Sequence, residues 1–175
     1  NEVWITGRNY ELKDNIILAL NYKIGDPINS IDLNKVNERV SKLSWVDKSK
    51  VSIFPHGIME IMVKEYLPFA IYKDSENLFL VNLEGVKFLE INKNQYKNFF
   101  IVSGKESLIS LNNLNDLSDL INNVGLKIVE AIRIDSRRWD LNLSSGLIIK
   151  LPANNSVSIL KKFINLNYDS LDFTK

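Results

Sequence analysis

The chain has no cysteine among its 175 residues, one histidine, seven glycines and a formal net charge of +1. Without cysteine there is neither a disulfide framework nor a thiolate metal site, although the compartment stays open, because many exported proteins carry no disulfides. With His56 as the only histidine, a transition-metal site would need mostly carboxylate ligands, and neither an Asp-x-Asp-x-Asp-Gly loop nor a His-Glu-x-x-His helix occurs. The glycines are too scattered to build a phosphate loop or a dinucleotide fingerprint, so nucleotide cofactors drop out and no cofactor is expected. Lys+Arg 22 against Asp+Glu 21 lacks the basic excess of a nucleic-acid binder. No apolar run approaches the ~18–20 residues that cross a bilayer, and nothing at Asn1 reads as a signal peptide. A first residue other than Met leads us to expect a soluble piece of something longer.

What is present is ordinary globular material, 45% apolar and 25% charged, enough for one domain or two small ones. Val3-Trp4-Ile5 reads as a strand closed at Gly7. Leu12, Ile16, Ala19 and Leu20 then recur at helical spacing up to Gly25-Asp26-Pro27. Ser30 is the expected N-cap of a second helix, with Asp32 at its positive end and Leu33, Val36, Val40 and Leu43 as its stripe. Lys50–Phe54 and Ile58–Val63 alternate around Pro55-His56-Gly57 and form a hairpin. This order lets two helices bury their stripes on one face of a three-stranded sheet.

Beyond Glu65-Tyr66-Leu67-Pro68 the pattern turns to short strands, at Phe69–Tyr72, Leu78–Val81 and Val86–Leu89, read as an antiparallel meander. Phe99–Val102 follows, then a helix carrying Leu111, Leu114, Leu117, Leu120 and Ile121, ended near Gly125. Strands return at Leu126–Ile134, Arg138–Leu143 and Leu147–Leu151, and a helical pattern at Ile159, Leu160, Phe163 and Ile164 precedes a polar tail from Asn167. The fold class expected is α+β, with domains over 1–66 and 67–175.

Few side chains suggest chemistry. His56 reads as a turn residue, because no Gly-x-Ser-x-Gly elbow offers it a nucleophile. Glu60 or Glu65 with Asp135 or Asp140 would serve a glycosidase if the carboxylates met a few ångströms apart, but alternation turns Glu60 toward solvent. Arg137-Arg138 beside Trp139 has two readings, a solvated turn pair or a fork that takes a partner's carboxylate with Trp139 as an interface anchor. Trp4 and Trp45 are expected in the core.

These residues carry a family likeness. Val3-x-Ile5-x-Gly7, Gly25-Asp26-Pro27-Ile28, Leu43-x-Trp45-Val46, Phe54-Pro55 and Val63-x-Glu65-x-x-Pro68-x-Ala70 together resemble the POTRA domain of the FtsQ/DivIB bacterial cell-division family. Leu80-Val81-Asn82-x-x-Gly85-x-x-Phe88 resembles the family's following hairpin, and Arg137-Arg138-Trp139-x-Leu141-x-Leu143 a strand of its C-terminal β-domain. The likeness covers nearly the whole chain.

The resemblance implies a non-enzymatic divisome scaffold with no small-molecule substrate, anchored in the inner membrane by one span, with this segment in the periplasm. It implies FtsB and FtsL as partners, control of septal peptidoglycan synthesis by FtsW and FtsI, and links to FtsK. It places partner contacts on Lys50, Val51, Ser52 and Glu65, and the FtsB-contacting arginine on Arg137 or Arg138. Two departures stand out. Val51-Ser52-Ile53-Phe54-Pro55 lacks the basic residue that many relatives have there, and no segment before Lys175 matches the family's final strand, so that strand is expected to be missing, Leu147–Leu151 to form the sheet edge and the main partner site to be incomplete without it. Two other readings remain, a POTRA-bearing outer-membrane assembly or secretion chaperone and the cell-wall hydrolase built on the carboxylates above.

Overall fold

The structure is a computed structural model that describes residues 2–23, 25–27 and 30–167. Ile28 of the Gly25–Ile28 motif and the tail beyond Asn167 lie outside the described residues. The chain divides into two compact units, Asn1–Leu67 and Pro68–Lys175.

The first unit runs β1 (Glu2–Thr6), α1 (Lys13–Leu20), α2 (Leu33–Ser41), β2 (Val46–Phe54) and β3 (Ile58–Glu65). β3 is central, parallel to β1 and antiparallel to β2. Period-two alternation sends Val3, Ile5, Val51, Ile53, Met59, Ile61 and Val63 to one face, where they pack on Ile16 and Leu20 of α1 and Val36 and Val40 of α2. His56 sits in a short 3-10 turn, Pro55–Gly57, between β2 and β3. Its side chain lies outside the described set.

Two expectations fail here for local reasons. Trp4 is 48% exposed, because Val3 and Ile5 take the inward positions of β1 and leave it on the face without helices, level with Glu60. Ser30 does not cap α2. Its hydroxyl donates to the Pro27 carbonyl at 2.6 Å, and Asp32 Oδ1 accepts from the N–H groups of Asn34 and Lys35 at 3.1 and 3.2 Å.

The second unit runs β4 (Ala70–Asp74), β5 (Asn77–Val81), β6 (Lys87–Ile91), β7 (Ile101–Ser103), α3 (Leu111–Asn123), β8 (Ile128–Ile134), β9 (Arg138–Leu143), β10 (Ile148–Lys150) and α4 (Ser156–Asn167). Its seven strands lie in the order β10-β9-β8-β7-β4-β5-β6. β4–β5–β6 and β8–β9–β10 are antiparallel runs, but β7 is parallel to both β4 and β8. A parallel neighbour needs a crossover, and α3 provides it between β7 and β8. Leu111, Leu114, Leu117 and Ile121 of α3, with Leu160 of α4, bury against Ala70, Val81, Val102, Ala131, Trp139 and Leu141. Among the described residues, no helix is long and apolar enough to cross a membrane.

Candidate partner-binding site

The β8–β9 hairpin carries the two arginines. Asp135 and Ser136 both take positive φ, 49° and 58°, and the Arg137 N–H donates to the Ile134 carbonyl at 3.0 Å. Asp and Ser bear the left-handed conformation at a steric cost that most non-glycine residues avoid, so the turn is held by its flanking strands. Alternation along β9 then turns Trp139, Leu141 and Leu143 to the core and Arg138, Asp140 and Asn142 to the opposite face.

The arginines differ. Arg138 Nε donates to Asp140 Oδ1 at 3.2 Å, two residues along the same face of the strand. Arg137 is 73% exposed, and its only ion pair among the described residues is a loose 3.8 Å contact with the equally exposed Asp135. A cleft of about 480 Å³ beside them is lined by Ile134, Lys150, Leu151 and Pro152. β10 ends the sheet. Among the described residues it pairs with β9 alone, through Ile148–Asn142, Ile149–Leu141 and Lys150–Asp140. Its free side exposes the row of backbone donors and acceptors that an added strand would use, with Leu147 and Ile148 exposed nearby.

Trp139 must be corrected. It is 0% exposed and packs in the core beneath α3 and α4, so it cannot be an interface anchor. The alternation that frees Arg138 is what buries it.

In the first unit, β2 is likewise a sheet edge. Lys50 and Ser52 stand on the face without helices, opposite Met62 and Glu60. Val51 points the other way, toward Ile61 and the core, and offers a partner its backbone only. Glu65 is the larger correction. Its carboxylate is buried, and it accepts from the backbone N–H groups of Tyr10 at 3.0 Å and Glu11 at 2.8 Å. A carboxylate consumed in this way holds the fold together and has no face to present. Glu60 projects from the sheet face opposite to Glu65, whose carboxylate is taken up by backbone N–H groups, while Asp135 and Asp140 are each in contact with an arginine.

Arg133 on β8 escaped the sequence reading. Ala131 is buried, and alternation puts Arg133 on the same inward face, so a cation within an Ile-Arg-Ile strand was the available signal.

Comparison with known proteins agrees over both units. Residues 70–171 match the family described as "Cell division protein FtsQ/DivIB, C-terminal", and residues 1–66 match "POTRA domain, FtsQ-type". The "Cell division protein FtsQ" of Rickettsia bellii is 33% identical over 97% of this chain, and that of Rickettsia felis is 31% identical over the same share. The chain spans 67% of the length of each. The protein of the same name from Paracoccus denitrificans is 27% identical over 78% of this chain and 41% of its own length. Among solved structures, the major extracytoplasmic domain of the division protein DivIB from Geobacillus stearothermophilus aligns with a TM-score of 0.43 at 11% identity, covering 61% of this chain and 95% of that one. With family matches over both successive units, this chain belongs to the FtsQ/DivIB family of bacterial cell-division proteins.

Proposed function

We propose that this chain is the extracytoplasmic, non-enzymatic part of a membrane-anchored divisome scaffold. It recognises an extended acidic segment of a small partner of the FtsB and FtsL type, and through that complex it helps control septal peptidoglycan synthesis. The observation that carries the reading is the pairing of an open β10 edge with Arg137, whose guanidinium is only loosely held by Asp135. Backbone pairing along the edge supplies affinity, and a charge-assisted bond from Arg137 selects a carboxylate at one register. Arg138, already bonded to Asp140, positions the strand face and contributes less. Lys50 and Ser52 on the open face of the first unit form a second contact surface for other division proteins. The outer-membrane chaperone reading loses its ground, because it accounts for the first unit alone.

The test is isothermal titration of this chain with a soluble FtsB-type partner from the same organism. Arg137→Glu is expected to weaken binding at least about tenfold, Arg138→Glu less, with melting temperatures nearly unchanged. Affinity insensitive to both substitutions would sink the proposal. Release of peptidoglycan fragments by the purified protein, abolished by Glu60→Gln, would replace the scaffold with an enzyme.

A further inference from the structure

Arg133 is a cation on a face built for apolar residues. Its inward neighbours along β8 and β9 are Ala131, Trp139 and Leu141, and its guanidinium lies over the Trp139 ring, 5.0 Å from the centroid. Nη2 makes one long contact, 3.4 Å to the Ser136 carbonyl, while Nε is buried with no hydrogen-bond partner. No carboxylate lies within ion-pairing distance of it among the described residues. Burial lowers its pKa from the ordinary arginine value, and the charge of Glu106 acts in the other direction. A partly desolvated guanidinium is costly to leave without an anion, and stacking on an indole restores only part of what hydration supplied.

The space beside it is suited to an anion. A cavity of about 680 Å³ opens between β8, the start of α3 and the first turn of α4. Arg133 and Lys161 are its cations, and Ser110, Asn113, Ser156 and Ser158 line it with hydroxyl and amide groups. Ser156 and Asn113 meet there only through long contacts of 3.4 and 3.5 Å, which leave donor capacity for a bound group. No carboxylate lines the cavity, and Ile109, Ala153 and Val157 give it an apolar rim. The two cations match a single carboxylate, and the rim matches the methylenes and neighbouring side chains of a peptide that carries it.

We propose that this cavity is a socket for one glutamate or aspartate side chain of an acidic peptide, with Arg133 and Lys161 as the charge-pairing residues. The socket lies on the helix-covered face of the sheet, whereas Arg138 and Asp140 lie on the other, so the inference does not rest on the β10-edge reading above.

The experiment is an NMR titration of the full chain, following the Arg133 Nε–H and the backbone amides of Ser156, Val157 and Ser158. The probe is the capped tripeptide Ac-Ala-Glu-Ala-NH2, whose only charge is the side-chain carboxylate. Ac-Ala-Gln-Ala-NH2 and inorganic phosphate serve as controls. Saturable shifts with the glutamate peptide are expected, weakened at least about tenfold by Arg133→Gln and by Lys161→Gln. Lys161 is exposed on α4, so its variant keeps the fold even if removing Arg133 disturbs the Trp139 stack. Equal shifts with the glutamine peptide, saturation by phosphate but not by the glutamate peptide, or indifference to Lys161→Gln would each overturn the proposal. So would displacement of the same resonances by Asp169→Asn/Asp172→Asn alone, which would mean that the chain's own tail fills the socket.

Discussion

Glu65, at the end of β3, accepts hydrogen bonds from the backbone N–H groups of Tyr10 and Glu11, more than fifty residues earlier in the chain. Around that bond the loop between β1 and α1 is fastened at several points. Glu11 accepts from the Asn15 side chain at 2.8 Å and, at 3.4 Å, from the Trp45 N–H. Tyr10 stacks on Trp45 at 4.4 Å, and the Trp45 carbonyl accepts from Tyr66 at 2.9 Å. Two buried carboxylates, Glu65 and Glu11, thus tie together the start of α1, the end of β3 and the junction between α2 and β2.

Removing that carboxylate leaves two backbone donors without their acceptor. Glu65→Ala is expected to lower the local stability of the β1–α1 loop by about 3 kcal/mol, and Glu65→Gln by about half of that, since an amide oxygen still accepts. Hydrogen exchange reads this directly: protection of the Tyr10 and Glu11 amides should fall on the order of a hundredfold in the alanine variant. Unaltered protection would return Glu65 to the partner-contact role that the family resemblance implied.

Trp139 makes the parallel case in the second unit. It is among the largest fully buried side chains, and Trp139→Ala is expected to cost about 3–5 kcal/mol, measured by urea unfolding of the transition that belongs to residues 68–175. An interface anchor would instead lose partner affinity at constant stability.

These two residues show how far the sequence could be read. Alternation and helical spacing located the main strands and helices, because each inward stripe depends only on local periodicity. The parallel strand β7 was less legible, since its three residues are too short for a period and its partners β4 and β8 are chosen by the α3 crossover. The edge position of the Leu147–Leu151 segment was implied by the family resemblance, and the turn position of Arg137 followed from its place between two strand-like runs. Glu65 and Trp139 did not, because a family contact map and a residue-type preference for interfaces say nothing about whether a side chain points inward. For Trp139 the answer was present in the strand itself, as Leu141 and Leu143 share its parity. Glu65 likewise shares the parity of Ile61 and Val63, and what its strand could not show was the two backbone N–H groups, brought from the other end of the unit, that satisfy a buried carboxylate.

The cap of α2 gives a pH test. Asp32 has its pKa lowered, chiefly by the backbone hydrogen bond from Lys35, with desolvation opposing it and the Lys35 charge and the Asn34 N–H reinforcing it. A folded-state pKa below the unfolded one means that the contribution is complete above the ordinary carboxylate range and is lost as pH falls through the folded value. Acidification should therefore loosen the first turn of α2, seen as increased exchange of the Asn34 and Lys35 amides. Asp32→Asn should abolish most of that pH dependence while Ser30→Ala leaves it intact. A dependence that follows Ser30 would overturn the assignment of the cap.

Glycine substitutions separate backbone strain from close approach. Gly7 has φ +82°, and a Cβ there would lie 2.0 Å from the Val63 carbonyl oxygen; Gly104 has φ +101°, with the Arg133 carbonyl oxygen 2.2 Å from the same atom. Both obstacles are strand backbone, which cannot swing aside as a side-chain tip would. Gly146 has φ +86° but open space around its Cβ position, so alanine there carries only the left-handed penalty of about 1 kcal/mol. Gly7→Ala and Gly104→Ala are expected to cost at least about 3 kcal/mol, each in its own unit, because the chain must also separate β1's exit from β3 or β7's exit from β8. Thermal unfolding of the three variants decides it. Equal losses would mean that φ alone sets the cost, whereas a Gly104→Ala protein that also loses the Arg133–Trp139 stack would place the strain at the strand that frames the proposed carboxylate socket.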